Sequence, residues 1–154
     1  MIPEFINLKG ALWPVLPPGI HPATIDEIRQ RYCTNAKRVQ LFNSLTEGLE
    51  NLFVAGCRKV FLDGSYVTGK PIPGDYEICW DAAFVDPDLL DPVFFDFNGH
   101  REAQKNKYQG EYFPSIMVEG FTGKPFLEFF QTDKETGQQK GIIQLFNYIK
   151  KKRS

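Results

Sequence analysis

The spacing of apolar residues first indicates two helices in the N-terminal third of the chain. Thr24 is followed three residues later by Glu27, a capping box that predicts a short helix beginning at Ile25. Asn35 can cap a second, longer helix, in which apolar residues recur at intervals of three and four until Gly56. The first half of the chain is therefore expected to supply two amphipathic helices.

Short apolar runs beyond the second helix predict strands. Residues 58–64 (RKVFLDG) and 75–84 (DYEICWDAAF) each have the length and composition of a strand, and a loop rich in glycine and proline separates them. Residues 124–133 and 140–149 predict a hairpin around the turn DKETGQQ. Two helices followed by about four strands indicate an α+β protein: a mixed β-sheet with the N-terminal helices packed on one face.

The remaining segments complete a single predicted domain, residues 1–154. Residues 1–22 are rich in proline and predict an extended arm, and residues 150–154 form a basic tail. Residues 85–97 predict a short helix and then a strand, and residues 101–117 a short helix and then a loop. No internal repeat interrupts this order.

Composition narrows the function without identifying it. Apolar residues make up 42% and charged residues 24% of the chain, ordinary values for a globular protein. A net charge of −1 gives no strong DNA-binding signal. The three cysteines form no C-x-x-C pair, which argues against a zinc site and fits a reducing compartment. With no signal peptide and no apolar segment of about 18 residues, we expect a cytoplasmic protein without a membrane partner.

The loop between the first two predicted strands nearly matches a P-loop. Gly64, four intervening residues, Gly69 and Lys70 fit that pattern, but Pro71 stands where a serine or threonine should bind Mg²⁺. Proline and glycine after Lys70 also oppose the helix that a P-loop requires. A P-loop hydrolase is therefore only a third hypothesis.

The same loop and its flanking acids predict a different phosphate site. Gly64 leaves room for a phosphate to approach the backbone, and the Ser65 hydroxyl can donate to it. Asp75 and Glu77 are two residues apart in a predicted strand, so both side chains should point to one face. Two neighbouring carboxylates repel unless a cation lies between them, and oxygen ligands suit Mg²⁺.

These motifs resemble the minimal nucleotidyltransferase superfamily, typified by DNA polymerase beta and kanamycin nucleotidyltransferase. Its pattern is an apolar strand ending in Gly-Ser, a short helical turn, and an acid-x-acid pair on the next strand, here VFLDGS and DYEICW. The chain is also similar to a family of small bacterial nucleotidyltransferase-like proteins of obscure function. That similarity includes the segments LPPGIH, FLDGSYVTGKPIPGD, YQGEYFP and FLEFFQ.

The resemblance implies the minimal nucleotidyltransferase fold and a two-metal site. In it, Asp75 and Glu77 would hold two Mg²⁺ ions, and a third carboxylate would come from a later strand of the sheet. We expect Glu128 in that role because a charge among phenylalanines is expensive to bury unless it is paired or metal-bound. Glu111 and then Asp96 are the alternatives.

The implied reaction moves a nucleoside monophosphate from an NTP to an acceptor hydroxyl. Gly64 and Ser65 would hold the phosphates of the NTP, and the acceptor is a small molecule, a protein or an RNA. A bacterial toxin–antitoxin or defence setting is compatible with the family resemblance. The alternative is a catalytically inactive module of the same fold that binds a nucleotide or a protein partner, because Glu77 replaces the superfamily's commoner second aspartate.

Overall fold

The two N-terminal helices begin where their caps predict. In the computed structural model, which describes residues 1–149, helix α1 spans Ile25–Tyr32 and helix α2 spans Ala36–Val54. Thr24 and Glu27 form the complete capping box. Oδ1 of Asn35 accepts the backbone N–H of Arg38 at 2.9 Å. Both predicted helices are confirmed, while the predicted basic tail lies outside the described residues.

Five strands form one mixed sheet in the order β1-β5-β2-β3-β4. The pairs β1–β5 and β3–β4 are parallel, and β2 lies antiparallel to both β3 and β5. The strands are β1 Gly19–Pro22, β2 Lys59–Asp63, β3 Tyr76–Trp80, β4 Gly110–Pro114 and β5 Gly141–Phe146. The strand predictions for residues 58–64, 75–84 and 140–149 are thereby confirmed, and the Pro-rich arm ends in a strand of its own.

The two faces of the sheet have different coverings. Alternate residues such as Val60, Leu62 and Ile78 point into the main core, which α1 and α2 close. The opposite face carries a smaller apolar cluster that includes Phe61 and Cys79 and is closed by helix α4, Phe126–Phe129. The N-terminal helices thus cover one face of a mixed sheet, and the α+β class is confirmed.

Residues 124–133 do not form the predicted strand. Phe126, Phe129 and Phe130 are spaced three and four apart, which is the spacing of one helical face. Their rings meet in α4, with centroids of Phe126 and Phe130 5.5 Å apart. The prediction of a hairpin between residues 124–133 and 140–149 was wrong because aromatic composition was given more weight than this spacing. Strand β5 pairs instead with β1 and β2.

The segment between β3 and β4 also differs from the sequence prediction. Residues 85–97 contain a 3-10 turn, Pro92–Phe95, and the strand predicted after it is not formed. Helix α3 spans Asn98–Tyr108, and β4 then follows where only a loop was expected. Parallel strands need a long crossover connection, and α3 lies in the one that joins β3 to β4. None of the helices within residues 1–149 is both long and apolar enough to span a bilayer.

Candidate functional site

The turn after β2 has a backbone conformation that favours glycine. Gly64 has φ +87° and ψ −172°, a region open essentially to glycine alone. A Cβ atom added there would lie 3.4 Å from Oε2 of Glu77. The 3-10 turn Ser65–Val67 follows, and Oγ1 of Thr68 donates to the Ser65 carbonyl oxygen at 2.7 Å. Gly64 therefore brings the backbone of the turn against a carboxylate of β3.

A buried arginine from α2 ties this turn to the helices. Arg38 is 3% exposed. Its guanidinium donates to the carbonyl oxygens of Tyr66 at 2.7 Å and Thr68 at 3.0 Å, and also to that of Lys70. Hydrogen bonds from a charged donor are stronger than neutral ones. The turn is thus fixed by three contacts to one side chain, and its backbone N–H groups keep a defined direction.

The acidic pair of β3 points to one face, as the strand alternation predicts. Tyr76 and Ile78 are fully buried in the main core, so Asp75 and Glu77 face the other way. A cavity of about 250 Å³ lies there, and its lining contains four of the five residues that the sequence placed in the site, namely Gly64, Ser65, Asp75 and Glu77. The turn and the acidic pair therefore share one cavity.

The register of the sheet aligns three carboxylates across three strands. Asp63 of β2 lies opposite Glu77 of β3, and Glu77 is also the register partner of Glu111 in β4. Side chains of directly paired residues point to the same face of a sheet. Glu111, the second choice from the sequence for the third acid, is therefore the predicted alternative that lies in the row with Glu77.

Glu128 does not occupy a strand next to this row. It lies in the single turn of α4 and is exposed. It is absent from the lining of both cavities that Glu77 lines. The expectation of a buried charge in a strand was wrong because helical spacing turns the phenylalanines inward and Glu128 outward. Asp96 does not belong to the row either. Its carboxylate accepts the backbone N–H of Asn98, and the residue lines a different cavity.

Asp63 is the site residue that the sequence reading left out. It is 1% exposed, and neither carboxylate oxygen accepts a hydrogen bond within the described part of the chain. The nearest cation is Nζ of Lys140, 3.5 Å from Oδ1. Buried carboxylates without partners are costly, so they mark sites where a ligand completes the arrangement. The sequence did contain a signal for Asp63: it is the charged residue that ends the apolar run VFLD, and strand alternation places it on the same face as Phe61.

Burial raises the pKa values of these acids, and neighbouring carboxylates add to the shifts of Glu77 and Asp75. Burial, followed by the negative charge of Asp63, raises the pKa of Glu77 to about 8. Burial raises the pKa of Asp63 against the opposing attraction of Lys140. Burial and the charge of Glu111 raise the pKa of Asp75. Shifts of this kind, caused by burial and like charges in a cleft, are typical of functional sites.

Cations of the chain itself face the carboxylate row. Lys134 approaches Oε1 of Glu77 at 3.9 Å. Glu111 accepts from Nε of Arg101 at 2.7 Å and lies 3.2 Å from Nζ of Lys105. Arg101 has φ 65°, a left-handed conformation that is unfavourable for a non-glycine residue. The acidic row is therefore partly neutralised from two sides.

The carboxylate oxygens of the site suit a hard divalent cation, although the carboxylates are too far apart to bind one together. Asp63, Asp75 and Glu77 offer only oxygen atoms, as Mg²⁺ prefers, and the unpartnered oxygens of Asp63 lack a donor. Within residues 1–149, however, no three or more His, Cys, Asp or Glu side chains are close enough together to hold a metal ion. A bound cation would have to draw these carboxylates together.

A second cavity meets the first at Glu77. It has a volume of about 310 Å³, and Glu77 and Lys134 line both cavities. Its other walls are both aromatic and charged, with Phe113, Phe126 and Glu111 among them. The carboxylate of Glu77 therefore lies between one cavity beside the Gly64 turn and a second one beside α4.

Comparisons with known proteins give one family and no activity. A search of curated proteins and a search of solved structures each found no match. The model of one family, described as a family of unknown function (DUF6932), matches residues 11–146. That range includes the whole sheet, the Gly64 turn and the carboxylate row. The chain belongs to this family, DUF6932.

Proposed function

We propose that this protein is a Mg²⁺-dependent nucleotidyltransferase of the minimal nucleotidyltransferase fold. The observation that carries the proposal is that the glycine–serine turn and the acidic pair of β3 line one cavity. A phosphate-binding turn and metal-binding carboxylates must be adjacent for phosphoryl transfer, and beside them lies the buried Asp63, whose carboxylate oxygens accept no hydrogen bond among the described residues. The motif resemblance supports the same class of reaction.

The residues of the turn and the neighbouring charged side chains have distinct roles in this proposal. The backbone N–H groups and hydroxyl at Gly64 and Ser65 donate to the terminal phosphates of an NTP. Asp75 and Glu77 hold the metal ions, with Asp63 or Glu111 as the third carboxylate. Lys140, which also lines the cavity, adds a positive charge. Two Mg²⁺ ions, when bound, supply charge neutralisation at the α-phosphate and at the leaving pyrophosphate.

The proposed reaction exchanges one phosphorus–oxygen bond for another. The acceptor oxygen forms a bond to the α-phosphorus, and the bond from that phosphorus to the pyrophosphate breaks. The acceptor's proton passes to the third carboxylate, so that Asp75 and Glu77 remain metal ligands. The acceptor enters from the second cavity, because Glu77 faces both cavities. It is a small molecule, a protein or an RNA, and a toxin–antitoxin or defence setting would suit such a modification.

A second candidate function is a non-catalytic module that binds a nucleotide or a protein partner. The ion pairs of Arg101 and Lys105 with Glu111 favour it, because a neutralised carboxylate is a poor metal ligand. Lys140 likewise stands 3.5 Å from Asp63. In this version the lysines and arginines replace the metals, and the cavity binds phosphate without cleaving it.

A label-transfer experiment tests the proposal. NTPs labelled at the α-phosphate are incubated with the protein, Mg²⁺ and cell extract. We expect labelled product with the unaltered protein and a loss of at least about a hundredfold in Asp75→Asn and Glu77→Gln. Glu128→Gln is the matched control, because Glu128 is an exposed acid outside both cavities, and it should transfer label normally.

Binding measurements separate the two candidates. Titration calorimetry with a non-hydrolysable NTP and Mg²⁺ should show binding for either candidate. Binding without label transfer supports the module. Absence of both binding and transfer in the unaltered protein contradicts the transferase and the nucleotide-binding form of the module.

A further inference from the structure

An exposed tryptophan lines the cavity beside the Gly64 turn. Trp13 is 40% exposed and lines the cavity together with Ser65, Glu77 and Lys140. It pairs with no other aromatic ring among residues 1–149. The other tryptophan, Trp80, is 1% exposed and meets Phe95 edge to face in the sheet region. The indole of Trp13 is thus a large apolar surface left open beside charged groups.

The backbone around Trp13 is held in place from both sides. Val15 and Ile6 exchange backbone hydrogen bonds of 2.8 and 2.9 Å, and Val15 is buried. The carbonyl oxygen of Pro14 accepts the N–H of Gly69 at 2.8 Å. A Cβ atom added to Gly69 would lie only 2.5 Å from Cγ of Pro14. The residue next to Trp13 is therefore fixed directly against the loop that follows the Ser65 turn.

The segment before Trp13 is anchored as well. Gly10, with φ +87°, lies within a turn in which the N–H of Ala11 donates to the Leu8 carbonyl oxygen at 3.1 Å. Nε2 of Gln138 donates to the carbonyl oxygen of Lys9 at 2.9 Å. A rigid aromatic residue costs little conformational entropy when it binds a ligand. Trp13 meets that condition because turns and hydrogen bonds flank it.

We propose that the indole of Trp13 is the platform on which the base of the bound nucleotide stacks. This inference rests on the proposed function and specifies its substrate. With the triphosphate at the Ser65 turn, the ribose and base extend along the cavity toward its open rim, where Trp13 and Leu12 lie. Stacking on an aromatic ring tolerates every base, because each has a π face. The ligand is accordingly a purine or pyrimidine nucleoside triphosphate, and the larger purine ring binds more tightly.

The test uses two ligands to distinguish the contribution of the base to binding from that of the phosphates. Titration calorimetry in Mg²⁺ compares a non-hydrolysable ATP analogue with inorganic tripolyphosphate. In Trp13→Ala we expect the affinity for the ATP analogue to fall about tenfold. The affinity for tripolyphosphate should change by less than about twofold, because a phosphate chain has no ring to stack. Trp13→Phe keeps an aromatic face and should remain within about threefold of the unaltered protein.

Phe84→Ala is the matched control. Phe84 is an exposed aromatic residue that does not line the cavity, so its removal should affect neither ligand. Circular dichroism of each variant confirms that it is folded. The intrinsic fluorescence of Trp13 supplies a second readout: the ATP analogue should quench it in the unaltered protein, and tripolyphosphate should not.

The outcomes distinguish this inference from the proposed function. If Trp13→Ala binds the ATP analogue as tightly as the unaltered protein, or weakens both ligands equally, Trp13 is not the base platform although the phosphate site stands. If the unaltered protein binds neither ligand in Mg²⁺, the proposed function fails and the inference fails with it.

Discussion

At the scale of single residues, the most unusual feature is a pair of buried acids that face each other across two strands. Asp63 and Glu77 are direct register partners in β2 and β3. Their side chains are only 2% and 14% exposed. Lys140 and Lys134 offset part of this charge at 3.5 and 3.9 Å. The metal-free protein therefore carries an electrostatic cost at its own candidate site.

That cost predicts a pH dependence of stability. The ordinary pKa of a glutamate is 4.5, and burial together with Asp63 raises that of Glu77 to about 8 in the folded state. The folded protein therefore holds this proton more tightly than the unfolded chain, and the free energy of unfolding falls as pH rises from about 4.5 to about 8. Glu77→Gln cannot ionise, so it should gain on the order of 4 kcal/mol over the unaltered protein between pH 5 and pH 8.5, since nearly the whole shift falls within that range and one pKa unit is about 1.4 kcal/mol.

Urea unfolding at the two pH values, without metal, measures this difference. Glu128→Gln provides the control, because it removes an exposed carboxyl group. A Glu77→Gln variant whose stability relative to the unaltered protein is the same at both pH values would contradict the assigned burial of Glu77. Added Mg²⁺ should stabilise the unaltered protein at pH 8.5 and not the variant.

At the scale of elements, α2 holds the loop after β2 in place through hydrogen bonds, and part of that loop lines the cavity. Arg38 of α2 donates to the carbonyl oxygens of Tyr66, Thr68 and Lys70. A buried carbonyl oxygen that loses its donor costs the full desolvation of that group. The first residues of α2 therefore act on the site without touching the carboxylates.

Arg38→Met should destabilise the protein and loosen this loop. Loss of three hydrogen bonds from a charged donor predicts a fall of about 2–4 kcal/mol in the free energy of unfolding. Hydrogen exchange should accelerate at the amide of Thr68, which donates to the Ser65 carbonyl oxygen, and at that of Gly69, which donates to the Pro14 carbonyl oxygen. Arg29→Met is the control, because Arg29 is 56% exposed and pairs only with Asp26 among the acids; it should cost less than about 1 kcal/mol. Equal effects of the two substitutions would argue against the clamp.

The elements that could be predicted from the sequence are those that depend on contacts between residues close together in the chain. Thr24 and Asn35 mark α1 and α2 because capping is a contact within four residues of chain. The row of Asp63, Glu77 and Glu111 was not predictable in the same way. It depends on the register of three strands from distant parts of the chain, and register is set by long-range pairing. Asp75 and Glu77 were found because they are two residues apart in the sequence, with Asp75 directly before β3 and Glu77 within it.

At the scale of the whole molecule, the first and the last strand of the described chain pair with each other. β5 lies between β1 and β2, so the last strand is internal and completes the main core. Gly19 of β1 is the register partner of Gly141 of β5. The sheet thus joins residues more than a hundred positions apart, and every strand on either side depends on β5 being in place.

Gly141→Ala tests this closure. A Cβ atom at Gly141 would collide with the carbonyl oxygen of Pro17 and lie 2.8 Å from Nε2 of His21. The forced shift of the N-terminal arm should lower the free energy of unfolding by about 1–3 kcal/mol, as overpacking does. Gly120→Ala serves as the control, because nothing lies within 4 Å of the position of its Cβ atom. Urea unfolding that shows the two variants equally stable would contradict the close approach of the arm to β5.

The position of Lys140 determines when, during folding, the candidate site is completed. Lys140 directly precedes β5 and is the cation nearest to Asp63. The charge that balances the buried aspartate is delivered by the same strand that seals the core. A nascent or partly denatured chain therefore lacks the cation beside Asp63, and the charge balance of the candidate site is reached only once β5 has joined the sheet.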